Sequence, residues 1–235
     1  MKDKDTIRAY FAAIAQRYDL MNHVLSFGQD WLWRRRVARL APIEEGQRVL
    51  DVCTGTCDLI LAFERCYSTG HYVGVDLTED MLVLGQAKTE RAGMQSRLEL
   101  HCGDAEDLPY ESGSFDVVTM GFGLRNLPHP MTGIQEIYRV LKPGGKALIL
   151  EFAPAPRGLF GWIYRFYLTR IIPVLGGLVS GSRRAYQYLA SSVQGFFVPE
   201  QLQGHLREQG FTDVKAIPLS GRIAYIYVGT KEVSG

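Results

Sequence analysis

Carboxylates follow three short apolar runs, at positions that could bind a cofactor. Asp51 precedes a loop of small residues that allows a sharp turn of the backbone, and a helix is expected to begin near Asp58. The exposed N–H groups at a helix start favour a carboxylate or phosphate. Asp76 stands 21 residues beyond Gly55, where an acidic side chain usually binds a pair of ribose hydroxyls. Capping a helix is the alternative role of Asp76, although Thr78 could equally supply the cap.

Two kinds of cofactor fit a cleft of this type. A dinucleotide site needs the pattern G-x-G-x-x-G to approach a pyrophosphate, and here only Gly55 is a glycine. S-adenosyl-L-methionine has no phosphate, and its sulfonium suits three acidic strand ends. In this interpretation Asp51 binds the ammonium, Asp76 the ribose, and Asp104 with Ala105 the adenine edge. The residues therefore predict S-adenosylmethionine as the cofactor, with a nicotinamide-dependent oxidoreductase as the alternative.

The elements that position these residues alternate between strand and helix. Short apolar runs predict the first five strands, at 48–53, 71–76, 97–102, 115–120 and 146–152. The stretches between them predict helices, at 58–66, 79–92 and 131–141. The tail predicts a helix near 199–209 and then a hairpin of two strands, at 213–218 and 222–229. This order predicts an α/β fold, a Rossmann-like, mostly parallel seven-stranded sheet with helices on both faces.

Two helical segments are added to this pattern. Residues 1–45 form a predicted N-terminal appendage, in which Gly28 separates two helices. An apolar helical insertion covers 157–195, before the last two strands, and is interpreted as a substrate cap. Three glycines in it could act as hinges, Gly176, Gly177 and Gly181. The chain, 1–235, is predicted to be a single domain.

Composition argues against several classes of protein. A net charge of +1 does not suit a nucleic-acid binder that relies on a strong positive field. The four cysteines form no C-x-x-C pair and the histidines show no ligand spacing, so no metal site is predicted. The N-terminus is unlike a signal peptide, and arginines and glycines interrupt the apolar stretch 158–181. The expected location is therefore the cytoplasm, with a peripheral contact at the inner face of the membrane left open.

One run of basic residues has two interpretations. Arg34, Arg35 and Arg36 follow one another in the second predicted helix. A solvated helix face is the favoured interpretation, and a contact with anionic lipid is the alternative.

Several blocks resemble the class I methyltransferases, and more narrowly the family of ubiquinone/menaquinone-biosynthesis C-methyltransferases. Tyr18–Asn22 (YDLMN), followed by Ser26-Phe27-Gly28, is similar to the N-terminal signature of that family, and Phe122–Asn126 (FGLRN) to its most distinctive block. The segments Tyr138–Gly145 and Leu150–Phe152 are shared more widely among methyltransferases. The chain departs from the family pattern where Thr54 and Cys57 replace glycine or another small residue, and Cys57 is expected to face the ligand.

The resemblance implies a reaction and a set of cofactor contacts. The reaction is C-methylation of a polyprenylated hydroquinone, with demethylmenaquinol as the preferred acceptor. A ubiquinol precursor is the alternative acceptor, and a catalytically silent cofactor-binding component of a quinone-synthesis assembly is the alternative to an enzyme. The implied cofactor contacts are Thr56, Asp76, Asp104, Ala105 and Gly121, to which the residues themselves add Asp51, Thr54 and Gly55.

Methylation of an aromatic carbon requires electron density there, which a deprotonated ring hydroxyl supplies. A free phenol titrates near ~10, so the site must favour the phenolate. Arg125 is the candidate cation, although it could instead pair with an acidic neighbour. Tyr18, Asp19, Asn22 and Asn126 could orient the hydroxyls or relay the proton, with a helix-end cap as the alternative for Tyr18 and Asp19.

The insertion 157–195 combines aromatic and aliphatic side chains with arginines. This mixture suits a membrane interface, where rings lie at headgroup level and guanidinium groups meet lipid phosphate. The insertion is therefore expected to admit the quinol and to contact the membrane, with plain coverage of the sheet as the alternative. A homo-oligomer is left open.

Overall fold

A computed structural model describes residues 3–180 and 182–233. The predicted hinge residue Gly181 lies outside them. The helices are α1 (Lys4–Leu25), α2 (Gln29–Leu40), α3 (Asp58–Tyr67), α4 (Glu79–Arg91), α5 (Pro130–Val140), α6 (Leu159–Phe166), α7 (Ile172–Ser180), α8 (Arg183–Gln194) and α9 (Pro199–Glu208). The strands are β1 (Arg48–Val52), β2 (His71–Asp76), β3 (Leu98–Cys102), β4 (Phe115–Gly121), β5 (Leu141–Phe152), β6 (Phe211–Leu219) and β7 (Ala224–Lys231).

The strands form one seven-stranded sheet in the order β3-β2-β1-β4-β5-β7-β6. β1 to β5 pair in parallel, and β7 is antiparallel to both of its neighbours. The mostly parallel sheet predicted from the sequence is confirmed. The winding reverses between β1 and β4, so the carboxyl ends of these two strands border the crevice where such sheets bind ligands.

The predicted strands differ from the observed ones mainly at turns. β5 begins at Leu141 rather than at 146, because Lys142–Gly145 stays within the strand. A short 3₁₀ turn, Ser220–Arg222, joins β6 to β7, and β7 therefore begins at Ala224. All three turn residues have positive φ, which accounts for the tight hairpin at the predicted position.

The N-terminal segment forms the two predicted helices. The Asp3 side chain accepts the Thr6 N–H at the start of α1. Gly28 separates the helices with a φ of +72°, a conformation that suits glycine. α1 continues to Leu25, so the interpretation of Tyr18 and Asp19 as a helix-end cap is wrong.

Each face of the sheet is covered by its own apolar cluster. On one face α5 and α9 contribute residues such as Ile134, Ile137 and Leu202. On the other face α2 and α3 contribute residues such as Val37 and Phe63. Burial of these aliphatic and aromatic side chains is the main source of stability of the sheet.

A third cluster joins the two added segments. Ile14 and Met21 of α1 pack with side chains of the insertion, among them Leu168, Tyr186 and Val193. A π-helical turn, Tyr167–Ile171, links α6 to α7 within it. The insertion thus packs against α1. Within residues 3–180 and 182–233, no helix combines the length and the apolar character needed to cross a bilayer.

Candidate active site

The loop after β1 and the end of β2 are tied together by backbone hydrogen bonds. Gly55 has a φ of +55°, and its N–H donates to Asp76 Oδ2 at 2.8 Å. Asp76 Oδ1 accepts the Thr78 N–H at 2.8 Å, just before α4. Asp76 thus braces the start of α4 and the glycine loop. Burial raises the pKa of the Asp76 carboxyl, against the opposing effect of these N–H donors.

Five of the predicted cofactor residues lie around one narrow cavity. They are Gly55, Asp76, Asp104, Ala105 and Gly121. Cys53 also lines this cavity. Gly123 packs tightly against Cys53, since a Cβ added to Gly123 would lie 2.6 Å from the Cys53 Cβ. A glycine in the loop and another at the end of β4 allow a ligand to approach the backbone closely. These residues therefore fit a cofactor with a ribose and a purine.

Asp51 lies beneath this cavity and not among its described lining residues. Its carboxylate accepts the Thr54 hydroxyl at 2.8 Å and the Thr119 hydroxyl at 2.6 Å. Burial raises the pKa of Asp51 to about 7. The structure thus places Asp51 and Thr54 inside the turn that shapes the loop.

Cys57 does not face the ligand, contrary to the prediction. Its side chain is fully buried, and its Sγ lies 2.5 Å from the position that a Cβ on Gly85 of α4 would occupy. Burial raises the pKa of the Cys57 thiol to about 12. Of the two loop residues that depart from the family pattern, Cys57 therefore packs against α4. Cys53 is the thiol on the cavity side.

Thr56 and Asp19 belong to a network of charges behind the cofactor loop. The Thr56 hydroxyl donates to Asp19 Oδ1 at 2.5 Å, and Lys88 of α4 donates to Asp19 Oδ2 at 2.7 Å and to Thr56 Oγ1 at 3.1 Å. Lys88 also binds Asp58. Asp19 is absent from the described lining of the cofactor cavity and of the larger cavity described below. The structure therefore places Asp19 where it ties α1 to the loop.

The first turns of α1 cover the cofactor cavity. Lys4 donates to Asp104 Oδ2 at 2.5 Å and lies 2.8 Å from Glu106 Oε2. Lys4, Ile7 and Phe11 line the cavity, whose volume is about 80 Å³. Sites for small molecules usually measure several hundred Å³. The first turns of α1 thus fill part of the space at this cavity, and Lys4 is paired with Asp104.

A second, larger cavity of about 630 Å³ lies between α1 and the insertion. Most of its lining side chains are aromatic or aliphatic, such as Phe11, Leu25, Phe160 and Ile163. Four of the five predicted catalytic residues also line it, namely Tyr18, Asn22, Arg125 and Asn126. The cavity is open to solvent on one side, and its size suits a small organic ligand.

Arg125 is buried and pairs with Glu151 at the end of β5. Its Nη1 donates to Glu151 Oε1 at 2.7 Å and to the Phe122 carbonyl at 2.6 Å. The Arg125 backbone N–H donates to Glu151 Oε2 at 3.1 Å. Arg125 therefore does pair with an acidic neighbour, and its role toward the acceptor stays a prediction. Since Arg125 also lines the large cavity, the pair presents a guanidinium whose position is fixed by a fully buried carboxylate.

Tyrosines of the added segments surround this guanidinium. Tyr188 of α8 donates to Asn126 Oδ1 at 3.3 Å, and Asn126 Nδ2 donates to the Phe122 carbonyl at 3.0 Å. Burial raises the pKa of Tyr18, Tyr164 and Tyr188, and the charge of Arg125 acts in the opposite direction on all three. The polar end of the large cavity is therefore rich in phenol hydroxyls and contains a single described cation, Arg125.

The two cavities meet at four side chains. Phe11, Tyr18, Phe122 and Asn126 line both of them. Phe122 has a φ of +58° and stacks on Phe152, with ring centroids 4.6 Å apart. A reactive group held in the narrow cavity would thus face the polar end of the large one.

Comparison with known proteins gives the family. The sequence model of the ubiE/COQ5 methyltransferase family matches residues 1–231. The chain belongs to the ubiE/COQ5 methyltransferase family. A demethylmenaquinone methyltransferase of Thermus thermophilus is 44% identical, over 94% of this chain and 99% of the relative. A protein of Geobacter sp. named ubiquinone/menaquinone biosynthesis C-methyltransferase UbiE is 40% identical, over 97% of each chain.

Solved structures agree on the fold. A S-adenosylmethionine-dependent methyltransferase of Thermotoga maritima, described as a possible histamine N-methyltransferase, has a TM-score of 0.67 and 18% identity over 96% of this chain and all of that one. A S-adenosylmethionine-dependent methyltransferase of Aquifex aeolicus has a TM-score of 0.61 and 17% identity, over 84% of this chain and 88% of that one. As a member of the ubiE/COQ5 family, this chain is a methyltransferase that uses S-adenosylmethionine, as the sequence predicted.

Several residues of this ubiE/COQ5 methyltransferase were missed by the sequence analysis in their site roles. Glu151 was noted only as part of a shared block, and Tyr188 lay unnamed within the insertion 157–195. Lys4 and Lys88 had no signal, because an isolated lysine on a helix is most often solvated. The order of charges along α1 and α4 does not reveal which lysine reaches which loop.

One group of this methyltransferase has the composition of a metal site. Ligand atoms of His23, Asp30 and Asp58 lie within 4.8 Å of one another. Arg34, however, pairs with Asp30 and lies 3.5 Å from Asp58. The guanidinium already compensates these carboxylates, so the group is better described as a buried ion-pair network.

Proposed function

We propose that this methyltransferase transfers a methyl group to a ring carbon of a polyprenylated hydroquinone, with demethylmenaquinol as the acceptor. The observation that carries the proposal is the large, mainly apolar cavity, in which Arg125 and Asn22 accompany Tyr18 and Asn126, two side chains shared with the cofactor cavity. A hydroquinone with an isoprenoid tail likewise combines a polar ring with a long apolar part. The relatives from Thermus thermophilus and Staphylococcus epidermidis are named demethylmenaquinone methyltransferases, which favours that head group.

In this proposal the cofactor lies along the ends of β1, β2 and β4. Asp76 binds the ribose, and Asp104 and Ala105 contact the adenine. Gly55 and Gly121 have no side chain, so the cofactor can approach the backbone there. Thr56, Thr54 and Asp51 shape the loop from behind, so their effect on the cofactor acts through its conformation. When bound, S-adenosylmethionine supplies an electrophilic methyl group at the junction of the cavities.

Arg125 stabilises the phenolate of the acceptor, and Glu151 holds the guanidinium in place. Tyr18, Asn22 and Asn126 orient the ring hydroxyls, and Tyr188 fixes the Asn126 amide. Asp19 acts at a distance by tying α1 to the cofactor loop. Placement of the reacting atoms ~3–3.5 Å apart then supplies most of the catalysis.

The insertion 157–195 admits the acceptor and contacts the membrane in this proposal. Phe160, Ile163 and Phe166 of α6 are exposed and also line the large cavity. Trp162, on the same helix, is exposed, and Arg165 lies beside it. An apolar surface around the mouth of an apolar cavity allows a tail to pass from lipid into the site without crossing water.

Turnover with matched acceptors tests the reaction. The purified chain is mixed with methyl-labelled cofactor and with demethylmenaquinol, the corresponding oxidised quinone, or a ubiquinol precursor that lacks the methyl group. We expect label to enter demethylmenaquinol and not the oxidised quinone, which has no hydroxyl to deprotonate. Faster transfer to the ubiquinol precursor would identify that quinol, rather than demethylmenaquinol, as the acceptor. Absence of transfer to any quinol, with cofactor still bound, would favour a silent component.

Vesicle flotation tests the insertion separately. Wild type and the variant W162A/F166A/R165E are floated with anionic vesicles, and V83A serves as the control because Val83 is an exposed apolar residue of α4. We expect wild type and V83A to float with the vesicles and the insertion variant to remain in the bottom fraction. If no form binds vesicles while all methylate a short-chain quinol equally well, the insertion only completes the core.

A further inference from the structure

The end of α1 carries an exposed apolar stripe outside the insertion. Leu20 and Val24 lie one helical turn apart on α1, and Phe27 follows in the turn after the helix; all three are exposed, with Phe27 at 78%. Arg17 precedes them on the same face and is also exposed. Single exposed apolar residues are common on soluble proteins, but a contiguous group of large ones indicates a contact surface.

α2 continues this surface with a divided outer face. Its exposed positions are, in order, Trp31, Leu32, Arg35, Arg36 and Arg39, and the positions between them are buried. The outer face is therefore apolar at the start of the helix and basic at its end. We call the exposed side chains of Leu20, Val24, Phe27, Trp31, Leu32, Arg35, Arg36 and Arg39 the α1–α2 corner.

The arginines of the corner are not neutralised by the fold. Arg34 is buried and paired with Asp30, so the predicted solvated run of three arginines is in fact split. Across residues 3–180 and 182–233, Arg35 and Arg36 take part in no ion pair. The acidic residue of α2, Asp30, is itself buried. The corner therefore keeps its positive charge on the surface.

The corner borders the mouth of the large cavity. Phe27 lines that cavity, and its ring centroid lies 5.9 Å from that of Tyr167 in the insertion. The Tyr167 hydroxyl donates to the Leu25 carbonyl at 3.1 Å, which fastens the end of α1 to the insertion. Phe27 of the corner and the exposed side chains of α6 thus line the same cavity.

We propose that the α1–α2 corner is a second lipid-binding surface, which docks on an anionic bilayer and aims the cavity mouth at it. This inference rests on the proposed function, since it places the opening against the source of a polyprenylated acceptor. Trp31 and Leu32 enter the interface, and Arg35, Arg36 and Arg39 meet lipid phosphates. Aromatic and aliphatic side chains beside arginines bind such surfaces, and the positive charge makes a negatively charged leaflet the matching partner.

Co-sedimentation with vesicles of phosphatidylcholine, with or without phosphatidylglycerol, tests the corner. R35Q/R36Q should bind the anionic vesicles roughly 30-fold more weakly than wild type, since each basic residue near such a surface strengthens binding about fivefold. L20S/L32S should also bind more weakly, because it removes the apolar contact. V83S is the matched control, since Val83 is 64% exposed and Leu32 is 66% exposed. All variants should methylate a short-chain quinol at the wild-type rate.

Three other outcomes would contradict lipid binding by the corner, and a fourth would contradict the proposed function. Equal binding of R35Q/R36Q and wild type, with release of the insertion variant, would assign lipid contact to the insertion alone and leave the proposed function intact. Equal binding of wild type to both kinds of vesicle would exclude the charge interaction. If the corner variants only convert a dimer into monomers in solution, the corner is an interface between two copies. Failure of wild type to methylate the short-chain quinol would instead count against the proposed function.

Discussion

The cofactor half and the acceptor half of the proposed active site are built in different ways. In the cofactor half, strand ends and a glycine loop provide the contacts, and Asp76 is held by the N–H groups of Gly55 and Thr78. In the acceptor half, side chains come from helices added to the sheet, such as Tyr18 of α1 and Tyr188 of α8. Backbone contacts suit a cofactor that many proteins share, whereas added helices can change with the acceptor while the sheet stays the same.

The two halves also differ in charge. The cofactor half presents two carboxyl groups to its cavity, those of Asp76 and Asp104. The acceptor half contains the Arg125–Glu151 pair, which is neutral overall, among tyrosines. The cofactor half is thus suited to a cation and the acceptor half to a phenol. If this division is correct, substitutions in one half should leave the function of the other largely intact.

The largest expected effect is in the acceptor half. Arg125→Ala should lower turnover ~10²–10³-fold, because it removes a fixed donor from the position proposed for the phenolate. The dissociation constant of S-adenosylmethionine, measured by calorimetry, should hardly change. An equal loss of turnover and cofactor binding would break the comparison, since Arg125 would then serve both halves.

The buried partner of Arg125 requires a control. Arg125→Ala leaves the Glu151 carboxylate buried and unpaired, which can destabilise a protein by about 3–5 kcal/mol. R125A/E151Q removes that charge as well and should recover stability in thermal unfolding. Its turnover should stay as low as that of Arg125→Ala. Recovery of turnover would mean that the single substitution acted only through the fold.

The next effect is in the cofactor half. Asp76→Ala should weaken S-adenosylmethionine binding by ~1.5–3 kcal/mol, the loss expected when hydrogen bonds to a charged group are removed. Turnover at saturating cofactor should stay near that of wild type. Asp107→Ala is the control, because Asp107 is an exposed carboxylate in the neighbouring loop. If calorimetry shows that a folded Asp76→Ala protein binds S-adenosylmethionine with unchanged affinity, Asp76 does not bind the ribose.

The sequence predicted the cofactor half better than the acceptor half for a physical reason. Strand periodicity and the carboxyl-end rule place Asp76 and Asp104 at one edge from local patterns alone. The acceptor half depends on pairs far apart in the chain, such as Tyr188 with Asn126, 62 residues away. No local pattern indicates that such residues meet.

The same limit explains the misplaced residues. Asp51 lies in β1 and Cys57 in the loop after it, as expected, but the direction of each side chain follows from the tight turn and from the packing of Gly85 in α4. Asp19 lies one position after Tyr18 in α1 and so points to a different side of the helix, toward Lys88. Sequence located the elements correctly, and the packing between them decided which side chains reach the cavity.

The acidic interior of the cofactor half predicts a dependence of stability on pH. The pKa of Asp51 is about 7 in the folded protein, against 3.8 ordinarily, so the folded state holds a proton that the unfolded chain releases. Stability should therefore fall as pH rises from about 4 to about 7. Relative to Asp51→Asn, wild type should lose about 2 kcal/mol between about pH 5.5 and about pH 7.5. Urea unfolding at both pH values measures this difference, and parallel curves would mean that Asp51 stays ionised.

The smallest expected effect concerns Lys4, where the appendage meets the cofactor half. The Lys4 ammonium binds the Asp104 carboxylate, which is the proposed partner of the adenine, and the pair is partly solvated, with the Lys4 side chain 40% exposed. Such pairs contribute ~0–1 kcal/mol to stability, so Lys4→Ala should unfold at nearly the wild-type temperature. Its affinity for S-adenosylmethionine should rise by up to about fivefold, because the cofactor no longer competes with an ion pair. Added salt should reduce the difference between the two proteins.

Lys142→Ala is a close control, since Lys142 is 42% exposed and binds Asp116 at 2.8 Å, far from the cleft. If Lys4→Ala binds the cofactor more weakly while Lys142→Ala does not, the start of α1 is part of the cofactor site rather than a competitor for it. The border between the two halves would then lie within α1.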